Sequence, residues 1–267
     1  MPASDTPHHR FADRIVAAMK PDARFVGLLA AGSFAQGNID NYSDLDLVLI
    51  VEDDHYPRIQ TLEARRAFAA SLGRLLYAFI GEHVGEPRLL ICLYDDPMLH
   101  VDLKFVTLDD LDHRIEEPIV LWHRDHRIAD RLPRAVPRWP SRDPAWFEEH
   151  FWVWVHYTAN KLGRGELMET HAALSHIREM VLGPMATRGL GLEQRGVRRL
   201  EMLSPEISNR LASTLGDYSA RGCAAALRHT IDLYRELRSA TPPPNCNPAA
   251  ETAVLAYVDN VIAQATR

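Results

Sequence analysis

Ten residues separate Gly32-Ser33 from Asp44-Leu45-Asp46, in the stretch GLLAAGSFAQGNIDNYSDLDLVLIV, and this pairing constrains the chain more than any other feature. An apolar run from Phe25 to Ala30 leads into the Gly-Ser pair, and another from Leu47 to Val51 leaves the two aspartates. Alternate side chains of a strand share one face, so Asp44 and Asp46 project together from a strand whose other positions read as core. Two carboxylates side by side repel and raise each other's pKa unless a cation sits between them. The arrangement asks for a divalent metal. Oxygen ligands with room for water and a phosphate describe magnesium better than a zinc or calcium cage.

Gly32 and Ser33 give that metal a context. A Gly-Ser turn after a strand lets the backbone approach an anion closely, and its N–H groups and hydroxyl hold phosphate oxygens. A nucleoside triphosphate carried with magnesium is the expected ligand. Asp102 lies in a third strand-like run, MLHVDLKFV, where a carboxylate between Val101 and Leu103 needs an explanation. Beside the first pair it completes a three-carboxylate site for two metal ions about 4 Å apart. Lys104, two residues on, shares its strand face and is a candidate phosphate ligand.

Gly32-Ser33, Asp44-x-Asp46 and the distant Asp102 resemble the signature of the polymerase-β-type nucleotidyltransferase superfamily. Further along, Phe151-Trp152, Tyr157, Leu162, Arg164 and Glu166-Leu167 follow an order similar to the start of the C-terminal domain in streptomycin-type aminoglycoside 6-adenylyltransferases. The segments PIVLWHRDHRIADRL and RRLEMLSPEISNRLASTL also resemble that family. His150 and Asn160 depart from it, standing where Glu and Lys are expected. The resemblance implies a magnesium-dependent enzyme that moves AMP from ATP onto a hydroxyl of a small polar acceptor, with an aminoglycoside as the implied acceptor and antibiotic resistance as the implied role. Transfer of AMP to a protein hydroxyl, as in toxin–antitoxin nucleotidyltransferases, is the alternative. A non-catalytic nucleotide-binding module is a second alternative, and the retention of all three carboxylates argues against it.

The expected fold is α/β with a mixed sheet, followed by an all-α bundle. In the first part, helices are expected at Phe11–Met19, Leu62–Phe79 and Leu108–Arg114. Strands are expected at Phe25–Ala30, Leu45–Val51, Leu89–Tyr94, Leu99–Val106 and Ile119–Trp122. The Asp95-Asp96-Pro97 turn marks an antiparallel hairpin. Pro133, Pro137, Pro140 and Pro144 interrupt the periodicity, so residues 1–140 read as a nucleotidyltransferase domain and 141–267 as a helical substrate-binding domain. Six helices are expected in the second part, about Pro144–Leu162, Leu167–Leu182, Leu192–Met202, Pro205–Leu215, Ala220–Leu237 and Ala249–Ala265. Phe147, Phe151 and Trp154 lie on one helical stripe and read as core rather than as a stacking platform. Glu148 and Glu149 are candidates to hold an acceptor ammonium or to take a proton from its hydroxyl.

A formal charge of −6 excludes a broad nucleic-acid surface, which needs clustered Lys and Arg, and suits a cationic acceptor. The expected partners are therefore a nucleoside triphosphate and a small molecule, with no membrane and no signal for an oligomeric state. Cys92, Cys223 and Cys246 lack the spacing of a disulfide or metal framework. The apolar stretch near the N-terminus is too short for a signal peptide, so a cytoplasmic location is expected.

Overall fold

The computed structural model describes residues 6–267, so the first five residues of the stretch read for a leader lie outside it. The chain divides into two compact units, one running through Arg138 and the other starting at Trp139.

The first unit contains α1 (Pro7–Met19), β1 (Phe25–Ala30), α2 (Gly32–Ala35), β2 (Leu45–Val51), α3 (Tyr56–Ile59), α4 (Leu62–Ser71), β3 (Arg74–Gly81), β4 (Glu86–Asp95), β5 (Leu99–Val106), β6 (Ile119–His123) and α5 (Arg127–Arg131). Its six strands form one sheet in the order β3-β4-β5-β2-β1-β6. Only β2 and β5 run parallel; the other pairings are antiparallel, which makes the sheet mixed, as expected.

Period-two patterning decides which face is covered. Leu45, Leu47 and Leu49 of β2, with Val101, Leu103 and Phe105 of β5, pack against Phe11, Ile15 and Met19 of α1 and Phe68 and Ala69 of α4. Full burial of each such side chain contributes about 1.5–3 kcal/mol. The even-numbered positions of both strands therefore turn to the opposite face. That face carries only a small cluster of Val26, Leu29, Ile50, Val106, Leu111 and Ile128, and the rest of it is open to chemistry.

The helix expected over Leu62–Phe79 is corrected. It ends at Ser71, and β3 begins at Arg74. Gly73 interrupts the helical run, and Arg14 of α1 donates to the Leu72 carbonyl at 3.0 Å, satisfying a helix-end acceptor. Beyond the break, Leu75, Tyr77, Phe79 and Ile80 pair with Leu90–Tyr94, an arrangement that suits aromatic and β-branched side chains. Residues 108–114 form a 3₁₀ turn, Asp109–His113, rather than an α-helix.

The second unit consists of α6 (Pro144–Gly163), α7 (Leu167–Ile177), α8 (Gly183–Gly189), α9 (Leu200–Leu203), α10 (Pro205–Ala212), α11 (Ala220–Ala240) and α12 (Pro248–Ala265), with a π-helical turn, Arg178–Leu182, joining α7 to α8. Asp143 caps α6 by accepting from the Trp146 amide at 2.8 Å, and Pro144 occupies the first turn. Phe147, Phe151, Val155, Ala159 and Leu162 form one buried stripe of α6, with the Phe151 ring stacked on Tyr234 of α11 at 3.5 Å. The helix expected over Leu192–Met202 is reduced to the single turn of α9. Gly196 and Arg199 both take left-handed backbone, and no α-helix runs through that conformation. Cys92 and Cys223 are buried and Cys246 exposed, all as free thiols. Among the described residues, no helix is long and apolar enough to cross a membrane.

Candidate active site

Parallel pairing of β2 with β5 puts Asp46 in register with Asp102, on the sheet face opposite α1 and α4. Asp44 sits one residue before β2. One carboxylate oxygen from each of the three lies within 4.8 Å of the others, and all three residues are half-buried. Burial pushes the Asp102 carboxyl above the usual carboxylate range, the Asp44 charge adds to the rise, and His100 opposes it by donating from Nε2 at 3.0 Å. Three acids held this close on a rigid sheet fit an oxygen-liganded divalent cation, which would remove both the repulsion and the desolvation penalty.

The Gly32-Ser33 turn lies against this cluster. Gly32 adopts φ +58°, and a Cβ there would overlap the Asp46 carboxylate, so both conformation and proximity require glycine. The Ala31 amide donates to the Asp46 carbonyl at 3.0 Å, tying the turn to β2. The Ser33 hydroxyl is buried and has no hydrogen-bond partner among the described residues. A buried hydroxyl without a partner costs about 1–3 kcal/mol, and an arriving phosphate oxygen would recover it. The Gly32 amide donates to Glu116 Oε1 at 3.3 Å.

Lys104 shares the face of Asp102, but its Nζ is 2.7 Å from Glu86 Oε2. Arg88 pairs with the same carboxylate and also reaches Asp110 at 2.8 Å. Burial alone would raise the Glu86 carboxyl; hydrogen bonds from Arg88 and Lys104 outweigh it and bring it down to about 2. Lys104 is thus committed to an ion-pair network beside the carboxylates, where it lines a cavity of about 150 Å³ together with Asp46 and Glu116.

Glu148 does not meet the expectation of an acid open to an acceptor. It is only 6 % exposed. Its carboxylate accepts from Trp152 Nε1 at 3.1 Å, from the Tyr234 hydroxyl at 2.5 Å and from Arg238 Nη1 at 3.1 Å. Position 148 is four residues before Trp152 and seven before Val155, which places it on the stripe that packs into the bundle. Glu149, the next residue, is exposed. At the positions that depart from the resembled pattern, His150 stacks on Trp146 at 3.9 Å and donates from Nδ1 to its carbonyl, and Asn160 accepts from the Tyr257 hydroxyl at 2.5 Å.

Three groups were not singled out from the sequence. His100 had a legible signal, being two residues before Asp102 on the same strand face. Glu86 and Glu116 had none, because their contacts depend on strand pairing and on a turn far from Gly32 in sequence.

No curated protein matches the chain. Among solved structures it is similar to an aminoglycoside 6-adenyltransferase from Bacillus subtilis, at 14% identity over 96% of this chain and 98% of that one, with a TM-score of 0.41. The family model described as streptomycin adenylyltransferase matches residues 8–242, which include the Gly-Ser turn, all three carboxylates and most of the helical unit. By that match the chain belongs to the streptomycin adenylyltransferase family and is an adenylyltransferase.

Proposed function

We propose that this enzyme transfers AMP from ATP, with magnesium, to a hydroxyl of an aminoglycoside of the streptomycin type. The observation that carries the reading is the three-carboxylate cluster set against a Gly-Ser turn whose buried hydroxyl lacks a partner among the described residues. Asp44, Asp46 and Asp102 would hold the metal. Bound there, magnesium supplies neutralisation of the triphosphate charge and acidification of the acceptor hydroxyl. Ser33 would receive a phosphate oxygen, and the Gly32 amide would do so on leaving Glu116. Lys104 would have to leave Glu86 to reach a phosphate, so the reading places the phosphates on the turn. Glu149 is the acid on α6 that remains open to an acceptor ammonium.

The test is release of pyrophosphate from ATP by the purified protein across a panel of aminoglycosides. Magnesium-dependent turnover with streptomycin, abolished by a chelator, is expected. Silence across the panel removes the aminoglycoside acceptor, and AMP incorporation into protein instead would favour the protein-modifying alternative. Ser33→Ala should raise the KM for ATP by about tenfold or more, because a hydrogen bond to a charged group is worth roughly 1.5–3 kcal/mol. The acceptor KM should stay near wild type. A defect confined to the acceptor would contradict the placement of Ser33 at the phosphates.

A further inference from the structure

Arg178 opens the π-helical turn between α7 and α8, a local irregularity of the kind that recurs at functional sites. Its Nη1 donates to the Thr214 carbonyl at 2.7 Å and to the Thr214 hydroxyl at 3.4 Å, while Nε and Nη2 have no acceptor among the described residues. Burial lowers the guanidinium below its ordinary range, and no carboxylate opposes that shift. Elsewhere in this chain the Nε–Nη2 edge is where an arginine grips a carboxylate. Arg131 donates from Nε to Asp112 Oδ1 at 2.7 Å and from Nη2 to Oδ2 at 2.6 Å, and Arg24 holds Asp22 in the same way. On Arg178 that edge is left over.

Arg178 lines a cavity of about 160 Å³ in the helical unit. Ser208, Leu211 and Ala212 form one wall, brought to one face of α10 by their spacing of three and four residues, and Leu200 and Glu201 of α9 and Leu215 complete it. Leu200 and Leu211 are buried, so the floor is apolar, whereas Glu201 is exposed and makes no ion pair with Arg178. A guanidinium withdrawn from water without a counter-charge favours an anion, and two parallel N–H groups fit the two oxygens of a carboxylate. Because Thr214 already fixes the guanidinium, a ligand would pay little for ordering it. The apolar floor favours a carbon body behind the charge, and Glu201 repels a second negative group. We propose that this cavity binds a small monocarboxylate, its two oxygens on Nε and Nη2 of Arg178 and its aromatic or branched body among Leu200, Leu211 and Leu215. The site consists of helical-unit residues only and does not depend on the nucleotidyl-transfer reading.

Saturation-transfer NMR on the full-length protein tests it with benzoate, with its neutral counterpart benzamide, and with acetate, which carries the charge without the body. Saturable binding of benzoate in the millimolar range or tighter is expected, with benzamide and acetate each weaker by about tenfold. Arg178→Gln, which keeps a donor for the Thr214 carbonyl, should weaken benzoate by a similar factor. Glu201→Gln should tighten benzoate by about twofold, a gain that a general loss of structure would not give. Ala212→Phe should abolish binding by filling the cavity, and with Glu201→Gln it decides the matter if circular dichroism shows that Arg178→Gln does not fold. Benzamide or acetate binding as well as benzoate, full binding in folded Arg178→Gln or Ala212→Phe, no gain in Glu201→Gln, or no saturable binding would each overturn the proposal. None of these results bears on pyrophosphate release, so the two readings fail separately.

Discussion

Asp46→Asn should lower nucleotidyl transfer by about 10³-fold or more, while the magnesium-free protein melts at the wild-type temperature or slightly above it. The two halves of this result share one cause. Asp46 faces Asp102 across the parallel β2–β5 pairing and lies with Asp44 in a cluster whose carboxylate oxygens approach within 4.8 Å. At an effective dielectric constant near 20, two unit charges at that separation repel by about 3 kcal/mol, and solvent reaching half-buried groups lowers the figure. Removing one charge relieves the repulsion in the empty site. On the proposed reading the same change would remove a ligand from a site whose cation would stabilise the transition state by several kcal/mol, and each 1.36 kcal/mol is tenfold in rate. Pyrophosphate release and thermal melts with and without magnesium would read both effects. Magnesium should stabilise the wild type in proportion to its binding and leave the variant unmoved. Undiminished transfer by the variant would remove Asp46 from the site.

What the sequence made legible follows from which interactions are local. Strand alternation put Asp44 with Asp46, and Asp102 with Lys104, on one face of their own strands without knowledge of the pairing, because period two is a property of one strand alone; that Asp46 meets Asp102 is set by the β2–β5 register. The Gly32 turn was legible for a similar reason, and the structure adds that Asp46 leaves no room for a Cβ. The β3 strand was hidden because Leu72, Leu75, Leu76 and Phe79 continue a helix-like spacing past Gly73, and only the partner β4 decides the matter. Lys104 was rightly placed on the face of Asp102, but its commitment to Glu86 is a cross-strand contact that no spacing encodes. Glu148 shows the same limit in a helix. An acid in the first turns of a helix ordinarily reads as solvated, and the residues that draw it inward, Tyr234 and Arg238, lie on α11, the best part of a hundred positions away.

Glu148→Ala should destabilise the helical unit by about 3–5 kcal/mol and leave ATP binding intact. Glu148 is nearly inaccessible, and its two oxygens serve Trp152, Tyr234 and Arg238 together. Alanine would strand a buried indole N–H and a buried phenol, each at a cost of about 1–3 kcal/mol. It would also remove one partner of a buried ion pair, which ordinarily costs about 3–5 kcal/mol. Arg238 keeps Glu251 at 2.8 Å, so most of that ion-pair cost is not incurred, and the two stranded donors set the total at about 3–5 kcal/mol. Glu148→Gln, whose single carbonyl oxygen still accepts from Trp152 and whose NH2 can donate to the Tyr234 hydroxyl, should lose less than half as much. Two compact units need not unfold together, so urea titration should be followed by tryptophan fluorescence and by ATP binding in parallel. The fluorescence transition should move to lower urea, and the ATP-binding transition should stay nearer its wild-type midpoint. A double-mutant cycle with Tyr234→Phe should return a coupling energy above about 0.5 kcal/mol, the mark of side chains in direct contact. If Glu148 instead served an acceptor ammonium, both midpoints would hold and the acceptor KM would rise, an outcome that would overturn its place in the core.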